Sequence, residues 1–186
     1  GPPRIRFAAI GLNHGHIYGQ TDAVIRGGGE LVAFFAKEPD LAAAYESDRD
    51  YRIVLLRRPG SEVAIVAPHG GGIEPHTSDI ARDIAGPDFN LYLFEGLLKA
   101  GNFAALHLSS HLFDEPGCLE LLQDCRSVVS VHGCGHAGEV VLTGGRDAAL
   151  RESIGARLRT LGVACEDAPA GLDAADPANV CNRGRA

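Results

Sequence analysis

Apolar positions along the chain cluster in short runs of about four to eight residues, the length of buried strands rather than of long helices. RIRFAAIG (4–11), ELVAFF (30–35), YRIVLLR (51–57), EVAIVA (62–67), FNLYLFEG (89–96), SVVSVHG (127–133) and EVVLTGG (139–145) predict strands, and FAALHLSS (103–110) alternates as a strand does. Between them the period changes. A glycine loop and helix are expected after the first strand, and DLAAAYESD (40–48) also reads as helical. TSDIARDIAG (77–86) has N-cap candidates in Thr77 and Ser78 and ends on glycine. PGCLELLQDCR (116–126) predicts a helix. So does 147–162, with apolar residues at 150, 154, 158 and 161. The RPGS turn (58–61) between two apolar runs predicts that 51–57 and 62–67 form a hairpin. The tail from 163 onward reads as loop. Strands and helices are mixed throughout, which is the α/β class: a mixed, largely parallel sheet flanked by helices, with an N-terminal β-α-β extension. A polar seam at 38–50 divides the chain into a unit of residues 1–45 and another of 46–186.

Composition narrows this picture. With 186 residues, 45% hydrophobic and 22% charged, the chain has enough material for a real core. It contains no apolar run near the ~20 residues a membrane span needs. Its N-terminal residues lack the basic region and apolar stretch of a signal peptide, so a cytoplasmic or a released, secreted location is expected. The net charge of -7 argues against nucleic-acid and anionic-membrane partners. Five cysteines without a CxxC spacing argue against a zinc ribbon or a disulfide framework and suit small apolar fillers. Nothing in the sequence specifies an oligomeric state.

The chemistry-bearing signal is APHGGGIEPHTSDIA (67–81). His69 follows the run EVAIVA, and His132 follows SVVSV. If these strands are parallel neighbours, both histidines stand at the carboxyl ends of strands along one sheet edge, where open α/β sheets bind ligands. Glycines 70–72 let the loop bend sharply and return Glu74 toward His69. Two imidazoles and a carboxylate are a three-ligand zinc set with an open position for water. The alternative is a tight glycine turn with a solvated Glu74. Among the other histidines, His76 suits the surface or a helix cap. His107 suits a core or supporting place beside the site, and His111 and His136 suit the cleft. Glu95, Asp114 and Glu115 stand at strand ends, to line a site or to serve in turns and caps.

The motifs DYRI, APHGGGIEPHTSDIARDIAG, LYLFEGL, LHLSSHLFDEP, SVVSVHGCGH, VVLTGGRD and NVCNRGR, in this order over about residues 50–185, resemble the zinc-dependent poly-γ-glutamate hydrolases of phage and bacteria. The resemblance implies a zinc-carboxypeptidase-like fold and Zn2+ held by His69, Glu74 and His132. It also implies hydrolysis of γ-glutamyl amide bonds through a metal-activated water. The substrate would be an anionic polymer or peptide, poly-γ-glutamate, whose carboxylates Arg183 and Asn182 would bind. His76 departs from the family pattern, which has a small residue there. The family's proton-shuttling glutamate is expected on a strand after the Asn-Arg segment, in a VQLEL-like run. The chain ends at Ala186 before such a run, which leaves Glu95 as the substitute candidate and a non-catalytic metal- or polymer-binding module as an alternative.

Residues 4–45 are similar to the opening of a glucose–fructose oxidoreductase-type NAD(P)-binding domain. A dinucleotide site needs glycines that let the pyrophosphate approach backbone amides. Here they fall at Gly11, Gly15 and Gly19, not in the G-x-G-x-x-G spacing, and Lys37 or Glu38 would have to meet the ribose. Asn13 replaces the second glycine of G-x-G-x-x-G, so a strand–helix–strand that binds no nucleotide is the other reading.

Overall fold

The computed structural model describes residues 6–9, 30–34, 47–135 and 138–185. The expected glycine loop, both helices before residue 47, His14, His16, Gly11–Gly19, Lys37, Glu38 and His136 lie outside the described residues. β1 (Arg6–Ala9) and β2 (Glu30–Phe34) pair in parallel, the strand arrangement of a β-α-β unit.

β3 (Tyr51–Leu56), β4 (Val63–Gly71), β5 (Asn90–Gly96) and β6 (Ser127–Ser130) form a second sheet in the order β3-β5-β4-β6. β4 runs parallel to both β5 and β6, whereas β3 is antiparallel to β5. The expected hairpin between 51–57 and 62–67 is therefore not formed. β5 inserts between its two arms and pairs with both. The reason is burial: every residue of β5 and nearly every residue of β4 is buried, so these two nearly continuous apolar strands occupy the centre. β3, half-buried along most of its length, takes the edge.

Two apolar clusters lie on the two faces of this sheet. On one, α1 (Thr77–Ala85) lays Ala81 and Ala85 against Ile65, Ala67, Leu91 and Leu93. On the other, Tyr92, Phe94 and Val66 pack with Phe113 and with Cys118, Leu121 and Leu122, the last three from a later helix (Pro116–Gln123). The segment 103–110 is not a strand. It opens as a short helix, α2 (Asn102–Leu106), and becomes extended from His107. Asn102 sets this start. Its side chain accepts from Leu98 N–H (2.9 Å) and donates to the Leu98 carbonyl (2.7 Å), so the chain turns at Gly101 into a helix. The next helix, α3, is the Pro116–Gln123 helix, and Glu115 caps it by accepting from the Gly117 and Cys118 amides. Among the described residues all five cysteines are free thiols. Cys118 and Cys125 are buried and fill the core, and burial pushes both thiols up.

Beyond the sheet, β7 (Val141–Thr143) and β8 (Cys165–Asp167) pair in parallel around α4 (Ala148–Thr160). β8 falls where the tail reads as loop. In α4 only Gly155 is buried, and Leu161, the last of the expected apolar positions, is 62% exposed. Among the described residues no helix is long and apolar enough to cross a membrane.

Candidate metal centre

β4 carries the first side chain of the site. Its register against β5 shifts between Ala67 and Gly70, at Pro68, which has no amide hydrogen to give to a ladder. Such a bulge re-aims the residues beside it. The next residue, His69, is 2% exposed. Its Nε2 donates to the Leu108 carbonyl at 2.6 Å. A carbonyl can only accept, so the ring hydrogen is on Nε2 and the neutral ring presents a bare lone pair at Nδ1. Burial pulls His69 below the ordinary imidazole range, against the opposing pull of the Glu74 carboxylate beside it.

The glycine run returns the chain. A Cβ on Gly70 would lie 2.3 Å from Ser78 Oγ, and one on Gly72 2.5 Å from Asn102 Nδ2, so the loop runs where side chains do not fit. Glu74 N–H then donates to the His69 carbonyl at 2.8 Å and closes the turn. Thr77 and Ser78 do not cap the helix as their positions suggest. His76, exposed and left-handed at φ 72°, is the N-cap residue and makes no side-chain cap bond. Thr77 Oγ1 instead donates back to the Glu74 carbonyl (2.7 Å), and Ser78 Oγ accepts from Gly71 N–H (3.0 Å). The start of α1 thus holds the loop that carries Glu74.

β6 carries the third residue. His132 lies just past its end, with Nε2 2.8 Å from Ser130 Oγ and 3.3 Å from Ser110 Oγ. Gly133 N–H donates to Glu74 Oε2 at 2.9 Å. The outcome is a tight group. His69 Nδ1 is 3.1 Å from Glu74 Oε1 and 3.1 Å from His132 Nδ1, and His132 Nδ1 is 3.3 Å from Glu74 Oε2. One ligand atom from each residue lies within 4.8 Å of the others. Burial raises the Glu74 carboxyl, but the imidazoles of His107, His132 and His69 outweigh it and hold the group well below the usual carboxylate range. Glu74 is therefore an anion at neutral pH.

The chemistry of this donor set fits a divalent cation. His69 Nδ1 has no hydrogen to share, yet it faces a carboxylate oxygen and a second Nδ1 at hydrogen-bond distance. His132 presents its Nδ1 to the same point while Ser130 and Ser110 hold its Nε2, so two imidazole nitrogens and a carboxylate converge. Both rings held at their far nitrogens by oxygen groups is the arrangement that orients metal-binding histidines.

The other candidates fall elsewhere. Glu95 sits beside Gly70 in the β4–β5 register. Its carboxylate accepts from Arg52 (2.7 Å and 2.9 Å) and Arg82 (3.2 Å). Burial raises this carboxyl, but Ser78 and the two arginines hold it below the ordinary range. Asn182 donates to the Ala174 and Asp176 carbonyls and accepts from Arg146 N–H, so its amide is engaged in folding the tail. Arg183 is half-buried and donates to the Phe113 carbonyl at 3.0 Å. His76 and His111 are exposed, and Glu115 is the α3 cap. His107 lies against the site, its Nε2 3.6 Å from Glu74 Oε1. Ser110, Ser130 and the Leu108 carbonyl are supports the sequence does not announce. Only Ser130, two residues before His132 and so on the same side of a strand, left a readable signal.

A largely parallel α/β sheet with a His–Glu–His group at the carboxyl ends of two neighbouring strands defines an α/β domain with a metal-capable edge. The family model for poly-gamma-glutamate hydrolase matches residues 35–186, and the chain belongs to that family. Three relatives from Bacillus subtilis (strain 168) agree. UPF0714 protein YndL is 41% identical over 55% of this chain and 39% of its own length. SPbeta prophage-derived UPF0714 protein YoqZ is 39% identical over 65% and 43%, and UPF0714 protein YmaC 34% identical over 76% and 60%. The chain thus spans between about two-fifths and three-fifths of the curated relatives it matches. Among solved structures, a bacteriophage poly-gamma-glutamate hydrolase superposes with a TM-score of 0.74 at 33% identity, covering 81% of this chain and 72% of that one. A zinc-free apo form of YNDL gives 0.73 at 31% identity, covering 81% and 74%. Both show the same mixed α/β fold, a sheet flanked by helices.

Proposed function

We propose that this chain is a zinc-dependent hydrolase that cleaves γ-glutamyl amide bonds of poly-γ-glutamate. The observation that carries the reading is the convergence of the bare Nδ1 of His69, the Nδ1 of His132 and the Glu74 carboxylate at mutual distances of 3.1–3.3 Å. The family supplies the substrate class, and the neighbour described as zinc-free supports the choice of metal. His69, His132 and Glu74 would hold the ion. When bound, zinc supplies Lewis acidity toward a carbonyl and brings the pKa of water to roughly 7.

The chain's own groups do the rest. The Leu108 carbonyl fixes His69 in the tautomer that leaves Nδ1 open to a metal, Ser130 holds the far nitrogen of His132, and Gly133 N–H fixes one oxygen of Glu74. Arg183 is the cation for a substrate carboxylate. Its segment is tied to the site's own loop by Val180 N–H donating to Ser110 O, and its guanidinium has donors beyond the one given to Phe113. Asn182 holds that segment in shape rather than touching substrate. Glu95, clamped between Arg52 and Arg82, serves the sheet.

The test is the chain length of poly-γ-glutamate after incubation with zinc-loaded protein, followed by size-exclusion chromatography. Shortening that stops on chelation, returns with added zinc and is lost in His69→Ala is the expected result. A polymer of unchanged length beside fully zinc-loaded protein would leave a binding module instead of a hydrolase.

A further inference from the structure

His107 is not one of the three convergent residues, yet the site is built against it. Its ring centroid lies 4.0 Å from that of His69, tilted by 33°. Its other neighbour is Phe103, stacked at 4.3 Å and 26°. Phe103 is 57% exposed, so a three-ring column runs from solvent through His107 to the buried His69. The short helix α2 places Phe103 and His107 one turn apart on one face.

The two oxygens of Glu74 are held unequally. Oε2 accepts from Gly133 N–H at 2.9 Å. Oε1 faces His69 Nδ1, which carries no hydrogen to donate, and His107 Nε2 at 3.6 Å. That separation is longer than a hydrogen bond, but a small rotation of either side chain closes it, and site hydrogen bonds tighten on loading. Without His107, Oε1 faces only electron-rich atoms among the contacts of this site.

We propose that His107 is a positioning residue for the metal centre: it donates to Glu74 Oε1, opposite the Gly133 amide, and fixes the rotation of the metal-binding carboxylate. The role rests on the zinc reading above, and it concerns metal affinity rather than the chemical step. Groups that orient a metal ligand typically contribute 10- to 100-fold to affinity.

The test separates donation from packing. His107→Phe keeps an aromatic ring against His69 and Phe103 but removes the donor, while His107→Gln keeps a donor and removes the ring. Zinc dissociation constants are measured by competition with a fluorescent chelator, beside thermal melts of the metal-free proteins. The expected result is a rise of about 10-fold or more for His107→Phe, an apo melt close to wild type, and recovery of most of the affinity in His107→Gln. Wild-type affinity in His107→Phe, or a loss in His107→Gln as large as in His107→Phe, would overturn the positioning role while leaving the metal site standing. A wild-type chain that binds no zinc would overturn both.

Discussion

Glu74→Gln is expected to abolish tight zinc binding while leaving the fold in place, with kcat/KM on poly-γ-glutamate falling by about 10³-fold or more. The substitution is isosteric. The amide oxygen can still accept from Gly133 N–H, and the main-chain bonds that close the loop, Glu74 N–H to His69 O and Thr77 Oγ1 to Glu74 O, are untouched. What disappears is the negative charge. Two neutral imidazoles and a carboxamide are a poor set for a divalent cation, because zinc draws its affinity from anionic or imidazole donors in a fixed shape. A loss of about 10³-fold corresponds to about 4 kcal/mol of transition-state stabilisation, within the several kcal/mol a catalytic metal supplies. Metal titration followed by calorimetry, with circular dichroism as the control for folding, checks the result. Glu74→Gln protein that binds zinc as wild type does would show that this carboxylate is not a ligand.

The second large effect is expected from Gly71→Ala, which adds one methyl group outside the convergent residues. Gly71 has φ +62°, a left-handed conformation that costs an alanine about 1–2 kcal/mol. The new Cβ would also lie 2.5 Å from the Gly96 carbonyl oxygen and 3.0 Å from Gly96 N, both backbone atoms of the neighbouring strand. Neither can step aside without disturbing the β4–β5 ladder, where Gly71 is paired with Gly96. The loop between His69 and Glu74 must therefore shift. The expected outcome is a melting temperature lower by several degrees and a zinc affinity weakened well beyond the stability loss. Gly60→Ala is the matched control. Gly60 also has positive φ (+79°), but a Cβ there meets nothing within 4 Å. A Gly71→Ala protein that melts and binds zinc as Gly60→Ala does would refute the account of the glycine run.

The parts legible in the sequence are those governed by local pattern. The runs EVAIVA and SVVSV mark the two strands that lie side by side in parallel, and the histidines that follow these runs, His69 near the end of β4 and His132 just past β6, stand together for that reason. The helix after the glycine loop falls within the expected 77–86 stretch, although His76 rather than Thr77 or Ser78 is its N-cap residue. Long-range pairing was not legible. RPGS is a turn signal, and nothing local says that β5, thirty residues on, separates the strands this turn joins. FAALHLSS shows how one alternating stretch can be misread. Asn102, outside the stretch, clamps Leu98 and starts a helix where the side-chain pattern allows a strand. The supports of the site were hidden for a different reason. The Leu108 carbonyl and the Gly133 amide are main-chain groups, which every residue but proline offers alike. The Glu95 pairs are a matter of register, since Arg52 faces Glu95 only because β3 lies antiparallel to β5.

The most direct measurement is elemental analysis of the wild-type chain purified without chelators, followed by calorimetric titration of the stripped protein with zinc. The account predicts about one zinc per chain, regained on titration in a single tight event, as one set of two imidazoles and a carboxylate requires. Protein that carries no metal and takes up none at micromolar zinc would contradict it, whatever its fold.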